Sequence, residues 1–181
     1  MKLKIKLMNP NTELFYFINN NLSNPWLDLI MPHLTNLGGF LSLLVICVLA
    51  ILIFRHYNKE RYLKISKLCL YSLLLSGAIV ACLKLGVVEN RPFEALAHVN
   101  KLVVPTEPNS FPSGHTSSTF SVVTVLVHEF RQNKGLAVIL IAFSLMLAFS
   151  RVYCGVHYPL DVAVGAMVGI LSGVLVIKVK V

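Results

Sequence analysis

The chain has 181 residues, of which 56% are hydrophobic and 13% charged, with a formal net charge of +8 and a mean hydropathy of +0.73. That balance lies well outside the range of a soluble domain and is that of an integral membrane protein. The cationic excess is concentrated in short connecting segments, which points to membrane topology rather than to a nucleic-acid partner.

From the N-terminus, residues 1–8 carry Lys2, Lys4 and Lys6 but lack an apolar core with a small-residue cleavage site, so no signal peptide is expected. Residues 13–37 hold many asparagines, Asp28 and two prolines between short apolar stretches. They read as one or two amphipathic segments at the membrane surface, with Phe15, Tyr16 and Trp26 as interfacial anchors. Five apolar stretches follow, near the length a bilayer-spanning helix needs: 38–54, 68–88, 117–130, 136–152 and 159–179. The third is short and begins inside the polar cluster that precedes it. The expected architecture is a single all-α membrane domain, with 1–37 interfacial and 38–181 a bundle of about five transmembrane helices; a sixth, irregular crossing in the N-terminal part is the alternative.

Residues 55–67, RHYNKERYLKISK, contain five basic residues and one acid; Arg131 and Lys134 lie between the third and fourth spans, and Lys178 and Lys180 close the chain. With five crossings all three zones share one side, the cytoplasm by the positive-inside rule. Segments 89–112 and 154–158 then face outward. The N-terminal lysines resist this arrangement, since five spans would put them outside. Cys47, Cys69 and Cys82 lie in apolar stretches without metal-ligand spacing and, with Cys154, read as free packing residues; a Cys82–Cys154 pair is the alternative.

Ionisable groups in or beside the spans are functional candidates by default. Lys84 and Arg91 are seven residues apart, two helical turns that would put both on one face. Residues 110–118, SFPSGHTSS, open the third span: Pro112, Ser113 and Gly114 leave backbone N–H groups free at a helix N-terminus, an anion site with His115 beside it. At the fourth-to-fifth connection stands SRVYCGVHYPLD, 150–161, where His157 and Asp161 are four apart. The carboxylate can orient one imidazole nitrogen and leave the other as base or nucleophile, or it can pair with Arg151. All three groups fall on the same side of the membrane. Together they describe a site for a highly charged oxyanion, and phosphate fits.

The fifth span also repeats Asp161, Gly165, Gly169 and Gly173 at every fourth position, and the third has a row of Ser113, Ser117 and Ser121. Small-residue rows let helices approach closely in lipid. The two rows are expected to pack on each other and to set the spacing of His115 and His157; a homodimer through the glycines is the alternative.

Lys84 with Arg91-Pro92, Pro112-Ser113-Gly114-His115, and Ser150-Arg151 with His157 and Asp161 resemble, position for position, the three signature motifs of the type 2 phosphatidic acid phosphatase superfamily. That family includes lipid phosphate, phosphatidylglycerophosphate and polyprenyl diphosphate phosphatases and, more distantly, vanadium haloperoxidases. The resemblance implies a metal-independent and cofactor-free phosphatase. His157 would attack phosphorus, Asp161 would stabilise its imidazolium, and His115 would protonate the leaving oxygen. Lys84, Arg91 and Arg151, with the amides around Ser113 and Gly114, would hold the phosphate oxygens. The implied partners are the bilayer and a lipid phosphate or diphosphate, polyprenyl diphosphate ahead of phosphatidylglycerophosphate or phosphatidic acid. The implied location is the cell membrane, with an extracytoplasmic site. The competing reading is a noncatalytic lipid-phosphate-binding or transport protein. A metal hydrolase using His115, His157 and Asp161 is disfavoured, because three neighbouring cations would repel a divalent ion.

Overall fold

The computed structural model describes residues 9–105 and 107–179. Lys2, Lys4, Lys6 and Lys180, which entered the side assignment, lie outside the described residues. The described chain is all-helical: α1 (Pro10–Tyr16), running on through a π-helical turn (Phe17–Asn21), α2 (Pro25–Leu37), α3 (Phe40–His56), α4 (Glu60–Gly86), α5 (Pro92–Ala95), α6 (Gly114–Glu129), α7 (Lys134–Tyr153) and α8 (Pro159–Val179).

Local chemistry sets the helix starts. Asn9, Asn24 and Asn133 cap α1, α2 and α7 by accepting the N–H groups of Asn11, Leu27 and Leu136, and Pro10 and Pro25 occupy the first helical turn, where a missing N–H costs nothing. The basic stretch expected as a loop is mostly helix. Only 57–59 connects α3 to α4, and Arg61, Lys64 and Lys67 ride on the first turns of α4, because helix formation needs no apolar residue where water can reach the side chains.

Helices α4, α7 and α8 are each long and apolar enough to cross a membrane, and α2 with α3 qualify together as a span bent by 53°. At 16 residues α6 is about 24 Å long. It is hydroxyl-rich and sits centrally, packed on α8 and α4 and touching α7 and α3, so its polar face meets protein rather than lipid. The chain is therefore a multi-pass membrane protein.

Two details of the N-terminal reading change. Phe15 is no interfacial anchor: it is fully buried, clustered with Val152 and Tyr158, because α1 folds against the end that carries the α7–α8 connection. Trp26, at 77% exposure, does project outward. Asn19 of the π-helical turn is also buried and donates to the carbonyls of Asn100 and Tyr153, which ties the N-terminal part to the loops above the bundle. All four cysteines are free.

The glycine row packs inside the bundle. A Cβ on Gly165 would lie 2.6 Å from the Ser113 carbonyl oxygen, one on Gly169 would collide with the Ser117 carbonyl oxygen and lie 2.8 Å from Phe120 Cβ, and one on Gly173 would lie 2.6 Å from Thr124 Cβ. The serine row is shared on its far side by α4: Ser72 Oγ donates to the Ser121 carbonyl at 3.0 Å, and Ser76 Oγ bonds Ser117 Oγ. Helices α4, α6 and α8 thus form a tight polar-backed core that brings the C-terminus of α4 and the N-termini of α6 and α8 to one end.

Candidate active site

At that end a cavity of about 500 Å³ is lined by Lys84, Arg91, Gly114, His115, Arg151 and His157, facing a wall made by Gly39–Ser42 of α3. Five of the eight residues expected at the site from the sequence point into this single space, and Gly114 contributes backbone.

His157 lies in the α7–α8 connection, 2% exposed. Gly155, in the same connection, has φ +77° and stands against the Asn100 carbonyl at 2.7 Å from a would-be Cβ, so only glycine lets this turn close under the loop at 99–100. His157 Nδ1 is 3.4 Å from Asp161 Oδ2, and Nε2 is 3.3 Å from Arg91 Nη1. Because a guanidinium only donates, Nε2 is the acceptor and Nδ1 carries the proton toward Asp161. That lone pair is engaged by Arg91 Nη1, and both side chains line the cavity. Burial pushes the imidazole down to about 3 against the pull of Asp161, and Arg151 and Arg91 add to the depression, so His157 is neutral at physiological pH.

Asp161, fully buried in the first turn of α8, is not paired with Arg151. Its Oδ2 also accepts from Ser110 Oγ at 2.6 Å and from the Tyr158 N–H at 2.9 Å. Arg151, also buried, donates from Nη1 to Thr35 Oγ1 of α2 at 2.6 Å, which leaves its Nε unpartnered beside the cavity.

The expectation that Lys84 and Arg91 share a helix face fails. Helix α4 stops at Gly86, with Val87 extended, and Arg91 is the N-cap of α5. The two cations converge through a loop instead: Lys84 Nζ donates to the Asn109 carbonyl at 2.7 Å, and Arg91 Nη2 donates to the same carbonyl at 3.2 Å. Arg91 Nε and Nη1 further donate to the carbonyls of Glu107 and Val156, and Lys84 is 3.2 Å from Glu107 Oε2. Burial lowers the Arg91 pKa from its ordinary value, yet such a group stays charged.

Ser113 needs a correction. It is fully buried away from the cavity; its N–H donates to the Asp161 carbonyl at 3.1 Å and its Oγ bonds Thr116 Oγ1 at 3.0 Å. Its amide is therefore committed to α8, and the N–H groups that α6 offers the cavity begin at Gly114. His115 lines the same cavity as His157, and its Nε2 is 3.3 Å from where a Cβ on Gly39 would sit, at the N-terminus of α3.

Sequence reasoning missed Thr35, Glu107, Asn109 and Ser110. Ser110 belonged to the quoted polar cluster; the others are ordinary polar residues whose roles exist only through contacts distant in the chain. A divalent metal on His157 Nε2 would have to displace Arg91, 3.3 Å away, so the donor set does not suit a metal centre.

Residues 66–181 match the profile of the PAP2 superfamily. The chain belongs to this superfamily. It is 44% identical over 86 residues to a protein of Bacillus licheniformis named bacitracin transport permease protein BcrC, a match covering 48% of this chain and 41% of that protein. With undecaprenyl-diphosphatase BcrC of Bacillus subtilis it shares 29% identity over 170 residues, 91% of this chain and 81% of the relative. The crystal structure of Aquifex aeolicus LpxE superposes with a TM-score of 0.80 at 33% identity, covering 97% of this chain and 99% of that one. PAP2 membership agrees with the resemblance carried by the three motifs, and relatives named as lipid phosphatases match the chemistry of the cavity.

Proposed function

We propose that this chain hydrolyses the phosphate of a membrane lipid, polyprenyl diphosphate in first place, through a phosphohistidine on His157. The observation that carries the reading is the His157 ring: neutral, its Nδ1 turned to Asp161, its Nε2 accepting only from the phosphate-clamp candidate Arg91, in a cavity of about 500 Å³ that His115 also lines. Nε2 attacks the terminal phosphorus, and the bond from phosphorus to the leaving lipid oxygen breaks as His115 gives that oxygen a proton. Water, deprotonated by His115, then attacks phosphorus; the N–P bond breaks and inorganic phosphate leaves. Lys84, Arg91, Arg151 and the Gly114 amide hold the three equatorial oxygens, and Asp161 balances the imidazolium charge.

A diphosphate headgroup is favoured by the name of the Bacillus subtilis relative and by the cavity wall at Gly39–Ser42, where a second phosphate would meet the N-terminal amides of α3 beside His115. Apolar flanks around the bundle suit a substrate whose tail stays in lipid. The site is assigned to the extracytoplasmic face of the cell membrane from the basic residues at the opposite end.

Transport of a lipid phosphate is the second reading, favoured by the name of the Bacillus licheniformis relative. Phosphate release by the purified protein from a panel of lipid phosphates and diphosphates in detergent, with and without EDTA, separates the two. Hydrolysis that survives EDTA and is fastest on a polyprenyl diphosphate is expected. Binding without any release would leave transport as the function.

A further inference from the structure

Arg151, near the C-terminus of α7, is a buried cation with almost nothing to hold it. It is 3% exposed and lines the cavity, yet no carboxylate pairs with it: the ion pairs among the described residues are Lys84–Glu107 and His157–Asp161. Of its N–H donors only Nη1 has a partner among the described residues, and that partner is Thr35 Oγ1 of α2 at 2.6 Å. Nε is sealed from solvent and unpartnered. A long side chain must be held if its planar fork is to face one direction, and here a single hydroxyl does the holding.

That hydroxyl is turned away from its own helix. A threonine inside a helix often bonds back to the carbonyl four residues earlier, as Thr119 and Thr124 of α6 do. Thr35, fully buried, accepts from Arg151 instead. Helix α2 is docked on both sides of it. Asp28, about two turns earlier on the same face, accepts from Tyr153 Oη of α7. After Thr35, a Cβ on Gly38 would collide with Leu147 of α7 and lie 2.5 Å from Thr119 Oγ1. Thr35 therefore stands beside Arg151 on a helix that is anchored without its help.

We propose that Thr35 is a positioning residue: by accepting from Nη1 it fixes the Arg151 guanidinium so that the remaining N–H groups meet the phosphate oxygens, which makes α2 part of the phosphate clamp. Thr35 does not line the cavity, so it acts through Arg151. A neutral acceptor suits the task. A carboxylate at this place would neutralise the guanidinium and compete with the phosphate, whereas a hydroxyl orients the cation and leaves its charge to the substrate. Thr35 lies outside residues 66–181, the part that matches the superfamily profile, so the clamp draws on the N-terminal helices as well.

The inference rests on the phosphatase reading. Its test compares kcat, KM and half-inhibition by vanadate for the wild type, Thr35→Val, Thr35→Ser and Tyr153→Phe in detergent, with thermal unfolding measured for each. Thr35→Val keeps the shape and removes the acceptor; kcat/KM should fall about tenfold or more, since a group displaced by an ångström can cost on the order of 100-fold. The vanadate concentration needed should rise in step. Thr35→Ser restores the acceptor and should recover most of both. Tyr153→Phe loosens the docking of α2 without removing the hydroxyl from Arg151, so it should lower the melting temperature and leave kcat/KM and vanadate inhibition near wild type. In an Arg151→Met background Thr35→Val should add little, because the hydroxyl acts only through that guanidinium.

Thr35→Val with wild-type kcat/KM and vanadate inhibition would overturn the proposal. So would a Tyr153→Phe loss equal to that of Thr35→Val, or a Thr35→Ser protein as impaired as the valine variant. If Thr35→Val does not fold, Thr35→Cys, small and a weak acceptor, takes its place; if Arg151→Met is too slow to assay, the serine comparison decides alone. A wild type that releases no phosphate from any lipid would fail the phosphatase reading itself and take the inference with it, whereas normal release with an unaffected Thr35→Val fails the inference alone.

Discussion

Gly165 of α8 lies so close to Ser113 of α6 that a Cβ on the glycine would sit 2.6 Å from the serine carbonyl oxygen, while the Ser113 N–H donates to the Asp161 carbonyl at 3.1 Å. Two backbones in direct contact fix the distance between the helix that carries His115 in its first turn and the helix that follows His157. The spacing of the two histidine-bearing segments is a property of backbone approach.

Even one methyl group on this contact should therefore be felt. Gly169→Ala drives a Cβ onto the Ser117 carbonyl oxygen and to 2.9 Å from the Ser121 nitrogen. A loss of about 1–3 kcal/mol in stability is expected from overpacking, and roughly 10- to 100-fold in kcat from misplaced histidines. Thermal unfolding and turnover in detergent measure both, with Gly86→Ala as control because nothing lies within 4 Å of its Cβ position. A Gly169→Ala protein equal to the control would show that the contact does not set the site.

His157→Ala and His115→Ala should each fold and each lose nearly all phosphate release, while wild-type activity resists EDTA and yields to vanadate. Acid-labile, base-stable labelling of the protein by a phosphate-labelled lipid should appear in the wild type and vanish in His157→Ala. Normal turnover by His157→Ala would end the phosphohistidine mechanism.

The buried neutral state of His157 makes acid destabilising. Its unfolded value is near 6.5 and its folded value about 3, so between those limits the unfolded chain binds the additional proton and stability falls as pH falls through that window. The melting temperature should drop between pH 6.5 and 4, and by less in His157→Asn. An equal drop in both would place the acid sensitivity elsewhere.

Glu107 reaches Lys84 at 3.2 Å with a side chain 60% exposed, so it competes with the incoming phosphate for that cation. Exposed pairs are weak, and Glu107→Gln should lower KM by roughly two- to fivefold, with the difference shrinking at high salt. An increase in KM would instead make Glu107 part of the substrate site.

Sidedness is open to thiol labelling in a cysteine-free background. Ala95 and Lys59 are both exposed and lie at opposite ends of the bundle. A cysteine at Ala95 should react with an impermeant reagent on intact cells and one at Lys59 should not. The reverse pattern would put the cavity in the cytoplasm.

Chain chemistry alone determined the solvent and the costly ionisable groups that the fold must accommodate; the five spans expected from it become three long apolar helices and one bent pair. Hydropathy and charge act locally along the sequence, and Lys84, Arg91, His115, Arg151, His157 and Asp161 are costly in lipid wherever they fold, so their presence could be read without coordinates. The four-residue glycine row was legible for the same reason: helical periodicity converts spacing into a face. Tertiary structure alone decided how each group is served. It broke α4 at Gly86 and brought Lys84 and Arg91 together on the Asn109 carbonyl, gave Arg151 to Thr35 rather than to Asp161, committed the Ser113 amide to α8, and buried Phe15. Apart from the packing of Phe15, those outcomes depend on hydrogen bonds between residues 18 to 116 positions apart, and a hydrogen-bond partner is chosen by distance and direction within about 3 Å, which no one-dimensional pattern encodes.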